Sequence, residues 1–258
     1  MRPLVLLAND DGITAPNLLA LRDELRKDAD VVVCAPELNQ SATSHSLSLH
    51  RPLRLRKTGE GLFCVDGTPA DCVYVALHSG PRILPRRPDL VVSGMNHGPN
   101  LGIDVFYSGT VAAAREAAMR GIPSIAVSAD GDAARGPAAA LGASLALATL
   151  RAFRAAPAGT PAPLLNVNIP PGTAWSVRAT RLGARLYSEE VEYRNDPRGR
   201  EYLWIGGTGV RHDLVPGSDT EAYDEGAASI TPLTLDLYAE TQLAFASTVA
   251  ADRTGAAT

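Results

Sequence analysis

The sequence predicts an α/β protein whose mostly parallel sheet is covered by helices on both faces. Two observations carry that expectation. Short aliphatic runs alternate with helical patterns through the first half of the chain, and the runs are apolar at every position, as in strands buried on both faces. Loops rich in acidic, amide and hydroxyl side chains follow the ends of several of these runs, where open α/β sheets bind ligands. The 258 residues fit a single domain. Residues 1–130 would form the core with its site loops, and residues 131–250 would complete the sheet and carry a β-hairpin extension for oligomerisation.

The elements follow in order. Leu4–Ala8 is a buried strand and Asn17–Lys27 a helix. Val31–Ala35 is a second buried strand, and a polar loop runs from Pro36 to Ser46. Leu53–Arg56 and Leu62–Val65 read as a small strand pair. Pro69–His78 reads as a helix with proline at its start, where a missing N–H costs nothing. Leu90–Ser93 is another buried strand, followed by a Gly- and Asn-rich loop from Gly94 to Gly109. Helix Thr110–Arg120 stops at Gly121, and strand Ile122–Ser128 follows. An Ala-rich helix over Pro137–Leu150 precedes strand Leu164–Ile169. Leu182–Tyr193 and Glu201–Ile205 flank the turn residues Asn195-Asp196-Pro197-Arg198-Gly199 and read as one long hairpin. Residues 217–220 lead into a short helix, Ala228–Pro232 and Thr234–Leu237 read as strands, and the tail from Ala251 reads as frayed.

Composition narrows the function. Net charge is −4, with Lys and Arg scattered, so no basic stripe suits a nucleic-acid polymer. Anionic small molecules remain suitable where a bound metal supplies positive charge locally. The run Pro137–Leu150 is about 14 residues, short of the ~20 that span a bilayer, and Leu4–Ala8 is too short for a signal-peptide core. The expectation is a cytoplasmic chain with no membrane partner. Cys34, Cys64 and Cys72 lie in apolar stretches without metal-site spacing and read as free core thiols of a reducing compartment.

Asn9-Asp10-Asp11-Gly12 directly follows the first strand. Adjacent carboxylates at a strand end repel unless a cation or proton intervenes. Where Gly12 allows a tight turn, both can reach one hard metal through oxygen, although a plain turn with a capping Asp has the same signature. Residues 39–44 and 93–100 add amides and hydroxyls, which ligate Mg²⁺ or Mn²⁺ without charge. Tyr107-Ser108-Gly109-Thr110 opens a helix and offers N–H groups, hydroxyls and a dipole end to a phosphate. His97 sits among glycines and reads as exposed rather than as a base. With no histidine base, no Gly-x-Ser-x-Gly and no Walker-type loop, metal-activated water is the natural nucleophile. Two other classes fit parts of the pattern: a non-catalytic nucleotide-binding module, and a receiver-like signalling module. The latter needs an Asp where the chain has Asn96, and an edge Lys where it has only Lys27 and Lys57.

At these residues the chain resembles the SurE (survival protein E) family. The similarity runs through Asn9-Asp10-Asp11-Gly12-Ile13 with Ala15-Pro16, Ala35-Pro36 with Ser41, and Gly67 to Tyr74. It continues through Ser93 to Asn96, Gly98 to Gly102 and Tyr107 to Val111, then Asp196 to Gly199, Asp224 to Gly226 and Thr231 to Leu233. The resemblance implies a Rossmann-like domain and one divalent cation, Mg²⁺ or Mn²⁺, per subunit. It also implies hydrolysis of nucleoside 5′- and 3′-monophosphates, with short polyphosphate a substrate of some relatives. It maps metal ligation onto Asp10, Asp11, Ser41 and Asn96, with one of the catalytic aspartates orienting or deprotonating the water. Phosphate contact maps onto Asn100, Ser108, Gly109 and Thr110, with Asn39 nearby. It implies a homodimer or homotetramer with exchanged C-terminal elements. Ala42 and Asn17 stand where relatives often carry Gly, and Thr234 where several carry His. If the backbone at Ala42 requires positive φ, the methyl group strains it.

Overall fold

The computed structural model describes residues 2–187, 190–206 and 209–252. One nine-stranded sheet organises them. Its parallel part runs in the order β4 (Leu62–Val65), β2 (Asp30–Pro36), β1 (Leu4–Ala8), β5 (Leu90–His97), β6 (Ser124–Ala129), β7 (Leu164–Ile169). Antiparallel β3 (Leu55–Gly59) extends it beyond β4. At the other edge β13 (Ala228–Leu233) pairs antiparallel with β7, and β8 (Val177–Ala179) lies parallel to β13.

The two-residue period of β1 sorts the layers. Val5 and Leu7 pack with Leu18, Leu21 and Leu25 of α1 (Pro16–Leu25) and with the alanine face of α4 (Arg135–Ala155). Leu4, Leu6 and Ala8 pack with Cys72, Val73 and Ala76 of α2 (Pro69–His78) and Ala113 and Ala117 of α3 (Gly109–Ala118). Leu6, Leu7, Leu18, Leu21 and Leu25 are wholly buried, each worth about 1.5–3 kcal/mol. The chain builds β2 on one side of β1 and then crosses to β5 on the other. The crevice between the C-terminal ends of β1 and β5 is therefore the switch point of the sheet.

Several elements differ from expectation. Strand β5 runs on to His97 because the register shifts between Gly94 and Asn96 and lets pairing with β6 resume. Gly94 has φ +135° there, and a Cβ would collide with the Val127 carbonyl. Strand β6 begins at Ser124, because Gly121 (φ +70°) and Ile122 close the end of α3 through bonds to Ala118 and Ala117. Helix α4 has 21 residues, long and apolar enough by length and composition to cross a membrane, yet its Ala138, Ala139, Ala143 and Ala146 face packs on the sheet. The expected long hairpin is two ribbons. β10 (Val191–Asn195) pairs with β11 (Glu201–Ile205), and β9 (Ala184–Tyr187) pairs with β12 (Val210–Asp213). Ser188 and Glu189, which fall within the expected hairpin, lie outside the described residues. Helix α5 covers Asp219–Asp224. Thr234–Leu237 is not a strand: pairing of β13 with β7 ends at Leu233, opposite Leu164, where β7 itself begins. A last helix, α6 (Leu243–Asp252), occupies part of the expected frayed tail, and residues 253–258 are outside the described set.

Candidate active site

The turn after β1 is locked by a side chain. Asn9 is wholly buried; its Nδ2 donates to the Gly12 carbonyl (3.0 Å) and its Oδ1 accepts from the Gly12 N–H (3.3 Å). Gly12 has φ +103°, which side-chain-bearing residues avoid. This closure presents Asp10 and Asp11 at the switch point. The Gln40 N–H donates to the Asp10 carbonyl (2.7 Å) and the Ile13 N–H to that of Pro36 (2.9 Å), so the loop after β2 is stitched to the acidic turn.

That loop carries Asn39 and Ser41. Asn39 Nδ2 donates to Asp11 Oδ1 (3.4 Å), while its Oδ1 accepts from the N–H (2.9 Å) and hydroxyl (2.7 Å) of Ser41. Ala42 follows at φ +58°, so the departure from Gly falls on a left-handed residue, as the sequence suggested; Ser44 has φ +54°. The Ser44 N–H (2.9 Å) and hydroxyl (2.6 Å) donate to the carbonyls of Tyr107 and Phe106. His45 Nε2 lies 2.9 Å from Oε2 of Glu116, a buried carboxylate of α3. The Ser41 loop is thereby pinned to both the start and the body of α3.

Helix α3 begins against Asp10. Gly109 leaves no room for a side chain, since a Cβ would stand 2.9 Å from that of Asp10. The Thr110 N–H donates to Asp10 Oδ2 (3.0 Å) and the Thr110 hydroxyl to Oδ1 (2.6 Å). Ser108 caps the helix, its Oγ accepting the Val111 N–H (3.1 Å). Thr110, mapped from the resemblance to phosphate contact, thus directs both its donors to Asp10. Among the described residues, the Gly109 N–H and the Ser108 O–H remain without a partner that accepts from them.

From β5, Asn96 Nδ2 donates to the Gly98 carbonyl (2.7 Å), leaving Oδ1 without a partner among the described residues. The His97 N–H donates to Asp11 Oδ2 (3.1 Å); its ring is exposed, as expected, and makes no hydrogen bond among the described residues. Asn100 is buried, its Nδ2 donating to Ser128 Oγ (2.8 Å). Its backbone is held by Asn166 and Asn168 of β7, residues the sequence reading passed over. Their signal was present: two amides, two apart, in an otherwise apolar strand.

Both carboxylates of the pair are desolvated. Burial pushes the Asp10 carboxyl up to about 6, with the Thr110 hydroxyl bond opposing and the Asp11 charge adding. Burial also raises Asp11, opposed by the backbone bond and charge of His97. No Lys or Arg is paired with either among the described residues, nor do three or more His, Cys, Asp or Glu side chains cluster anywhere in a metal-binding group. A cation here would draw on two carboxylates and neutral oxygens, the donor chemistry of a hard divalent metal. The residues present fit such an ion.

Comparison with known proteins identifies the family. The family model described as survival protein SurE matches residues 5–189. A 5′-nucleotidase SurE from Sorangium cellulosum is 71% identical over 253 residues, covering 98% of this chain and 97% of that protein. One from Anaeromyxobacter dehalogenans is 50% identical over 235 residues, 90% of each. The crystal structure of the SurE protein from Aquifex aeolicus superposes with a TM-score of 0.78 at 37% identity, covering 93% of this chain and 97% of that one. The match spans most of the fold and the loops that form the site, and the chain belongs to the survival protein SurE family.

Proposed function

We propose that this chain is a nucleotidase that hydrolyses nucleoside 5′- and 3′-monophosphates to nucleoside and phosphate, and also short polyphosphate, using one Mg²⁺ or Mn²⁺ per subunit in the cytoplasm. The observation that carries the reading is the desolvated pair Asp10 and Asp11, set against the start of α3 and paired with no Lys or Arg among the described residues. Asp10, Asp11, Ser41 and Asn96 would hold the cation. When bound, it supplies positive charge to the phosphoryl oxygens and acidifies water.

The protein's own groups do the rest. The Gly109 N–H, the Ser108 hydroxyl and the positive end of α3 favour the anionic phosphoryl group and oppose charge as it builds. The Asn100 amide, using the Nδ2 hydrogen that Ser128 does not take, approaches from the β5 side. Asn39 orders the Ser41 hydroxyl beside Asp11. Asp11 is the less buried carboxylate and the one free of Thr110, so it is the better placed to orient or deprotonate the attacking water. A receiver-like role does not suit the geometry: Lys27 is paired with Glu24 beyond the end of α1, and Lys57 sits on edge strand β3, both outside the site.

The assembly is a homodimer or homotetramer in this proposal. Every residue of β10, β11 and α6 is exposed, including Tyr193, Leu203, Trp204, Ile205 and Phe245. A two-stranded ribbon bearing such side chains is marginal alone in water, and a second copy of the chain is the commonest cover. Three buried free thiols support a reducing compartment. Phosphate release from a panel of 5′- and 3′-nucleotides and polyphosphate, with chelator and with added Mn²⁺ or Mg²⁺, tests the activity. Full activity in verified metal-free protein would overturn it.

A further inference from the structure

We infer that Asn168, assisted by Asn166, is a positioning residue for the phosphate-binding amide of Asn100. The inference rests on the reading of Asn100 as a phosphate contact. Segment 99–101 is not a strand of the sheet, and Asn100 lies against Asn166 and Asn168, side chains on one face of β7. The N–H and carbonyl of buried Asn100 need partners, and no backbone group among the described residues supplies them. The side chain of Asn168 supplies them. Its Oδ1 accepts the Asn100 N–H (2.7 Å), and its Nδ2 donates to the Asn100 carbonyl (3.1 Å). One side-chain amide thus pairs with both backbone groups of one residue, as an adjacent strand would. Asn166 Nδ2 donates to the same carbonyl at 2.8 Å. Ser128 of β6, level with Asn168 in the sheet, accepts from the side chain at 2.8 Å.

Two features argue that β7 carries these amides for Asn100 and not for its own stability. Both are wholly buried in a strand whose remaining positions are Leu, Val and Ile. Asn166 also buries an Oδ1 with no partner among the described residues, a cost that an aliphatic side chain would avoid. With its N–H, carbonyl and one Nδ2 hydrogen fixed, Asn100 keeps a single Nδ2 hydrogen to offer, in one direction. Preorganised donors of this kind gain their strength from not having to reorient.

The test uses the full-length, Mn²⁺-loaded protein with inorganic phosphate as probe. Asn168→Ala and the milder Asn168→Ser are made alone and together with Asn100→Ala, and each is checked for folding by circular dichroism. Phosphate affinity by calorimetry should weaken about tenfold in Asn168→Ala and less in Asn168→Ser, the scale of lost support to a ligand. In the Asn100→Ala background the same changes should have less than a twofold effect. Exchange of the Asn100 amide hydrogen should accelerate in Asn168→Ala. Equal losses in both backgrounds, or unchanged phosphate affinity in a folded Asn168→Ala whose Asn100→Ala counterpart binds weakly, would overturn the inference. If Asn100→Ala alone leaves phosphate affinity unchanged, the underlying reading of Asn100 fails instead. If Asn168→Ala does not fold, Asn168→Ser and Asn166→Ala, which removes one bond to the Asn100 carbonyl, carry the same comparison.

Discussion

Asp10→Asn should make the metal-free protein respond differently to pH, in a direction fixed by the burial of Asp10. Its carboxyl is raised from an ordinary 3.8 to about 6. Between those values the folded chain holds a proton that the unfolded chain has already released. Stability therefore falls as pH rises across that window, and the loss is complete above the folded value. The full penalty at pH 7 is about 3 kcal/mol, taking 1.36 kcal/mol per pKa unit; between pH 5 and 7.5 it is about 1.4 kcal/mol. Asparagine cannot titrate. It loses at least one of the two bonds from Thr110, but that cost is the same at every pH. Comparing wild type with Asp10→Asn thus cancels the titrating groups that do not interact with Asp10, and the repulsion from Asp11 stays within the difference. Thermal unfolding in chelator, at fixed protein concentration, should show the variant gaining on wild type by about 3–5 °C from pH 5 to 7.5. Saturating Mn²⁺ should raise the wild-type midpoint and leave that of the variant almost unmoved. A midpoint difference that stays constant within a degree over that range would refute the argument that burial raises the Asp10 carboxyl.

Thr110→Val removes the hydroxyl bond that lowers the Asp10 pKa; half-saturating Mn²⁺ should rise about tenfold, measured by activity against metal concentration, with phosphate inhibition shifting much less. Equal loss of phosphate affinity would show that Thr110 serves the anion directly. Ala42→Gly relieves a left-handed alanine at φ +58° and should raise the thermal midpoint by about 1–3 °C with activity retained, since roughly 1–2 kcal/mol of steric cost is partly offset by the greater freedom of Gly in the unfolded chain. Replacing residues 191–205 with a short Gly linker should weaken assembly, read by sedimentation at micromolar protein, more than it lowers the melting of the sheet. A wild-type chain that sediments as a fully active monomer would remove the proposed interface.

Legibility in the sequence followed burial. Strands β1, β4 and β7 and helix α2 were readable because their signals are local: a largely apolar run inside a sheet, or a proline-led helix, whose start the structure also closes with a capping box at Thr68 and Asp71. The end of β5 was not, because its continuation depends on a register shift at Gly94 that pairs it again with β6, a non-local event. The C-terminal ribbons were half-readable. The turn at Asp196 to Gly199 is local, with the Gly199 N–H closing on the Asp196 carbonyl. The partner of β9 lies beyond it, in β12, and no local pattern announces that pairing. Helix α6 has no buried residue among the described residues, so the pattern that marks a core helix is missing.

The candidate site shows the same division at finer scale. Spacing told which residues gather at the switch point: an acidic turn after β1, an amide and hydroxyl loop after β2, an amide at the end of β5 and a Ser-Gly-Thr helix start. It did not tell how their hydrogens are allotted. The first turn of α3 has a fixed set of donors. Thr110 gives two to Asp10 and Val111 gives one to Ser108. The same helix start can therefore serve the carboxylates and the phosphate together only if different atoms serve each. Gly109 is where the two demands meet. The absence of a side chain lets Asp10 come within van der Waals reach, and the N–H of the same residue, unpaired among the described residues, is the proposed phosphate donor. An alanine there would push against Asp10 and Pro69 before it touched any substrate. The glycine of the Ser-Gly-Thr sequence is thus required by the acidic pair independently of the proposed phosphate contact, a requirement that only the packing of α3 against the turn after β1 reveals.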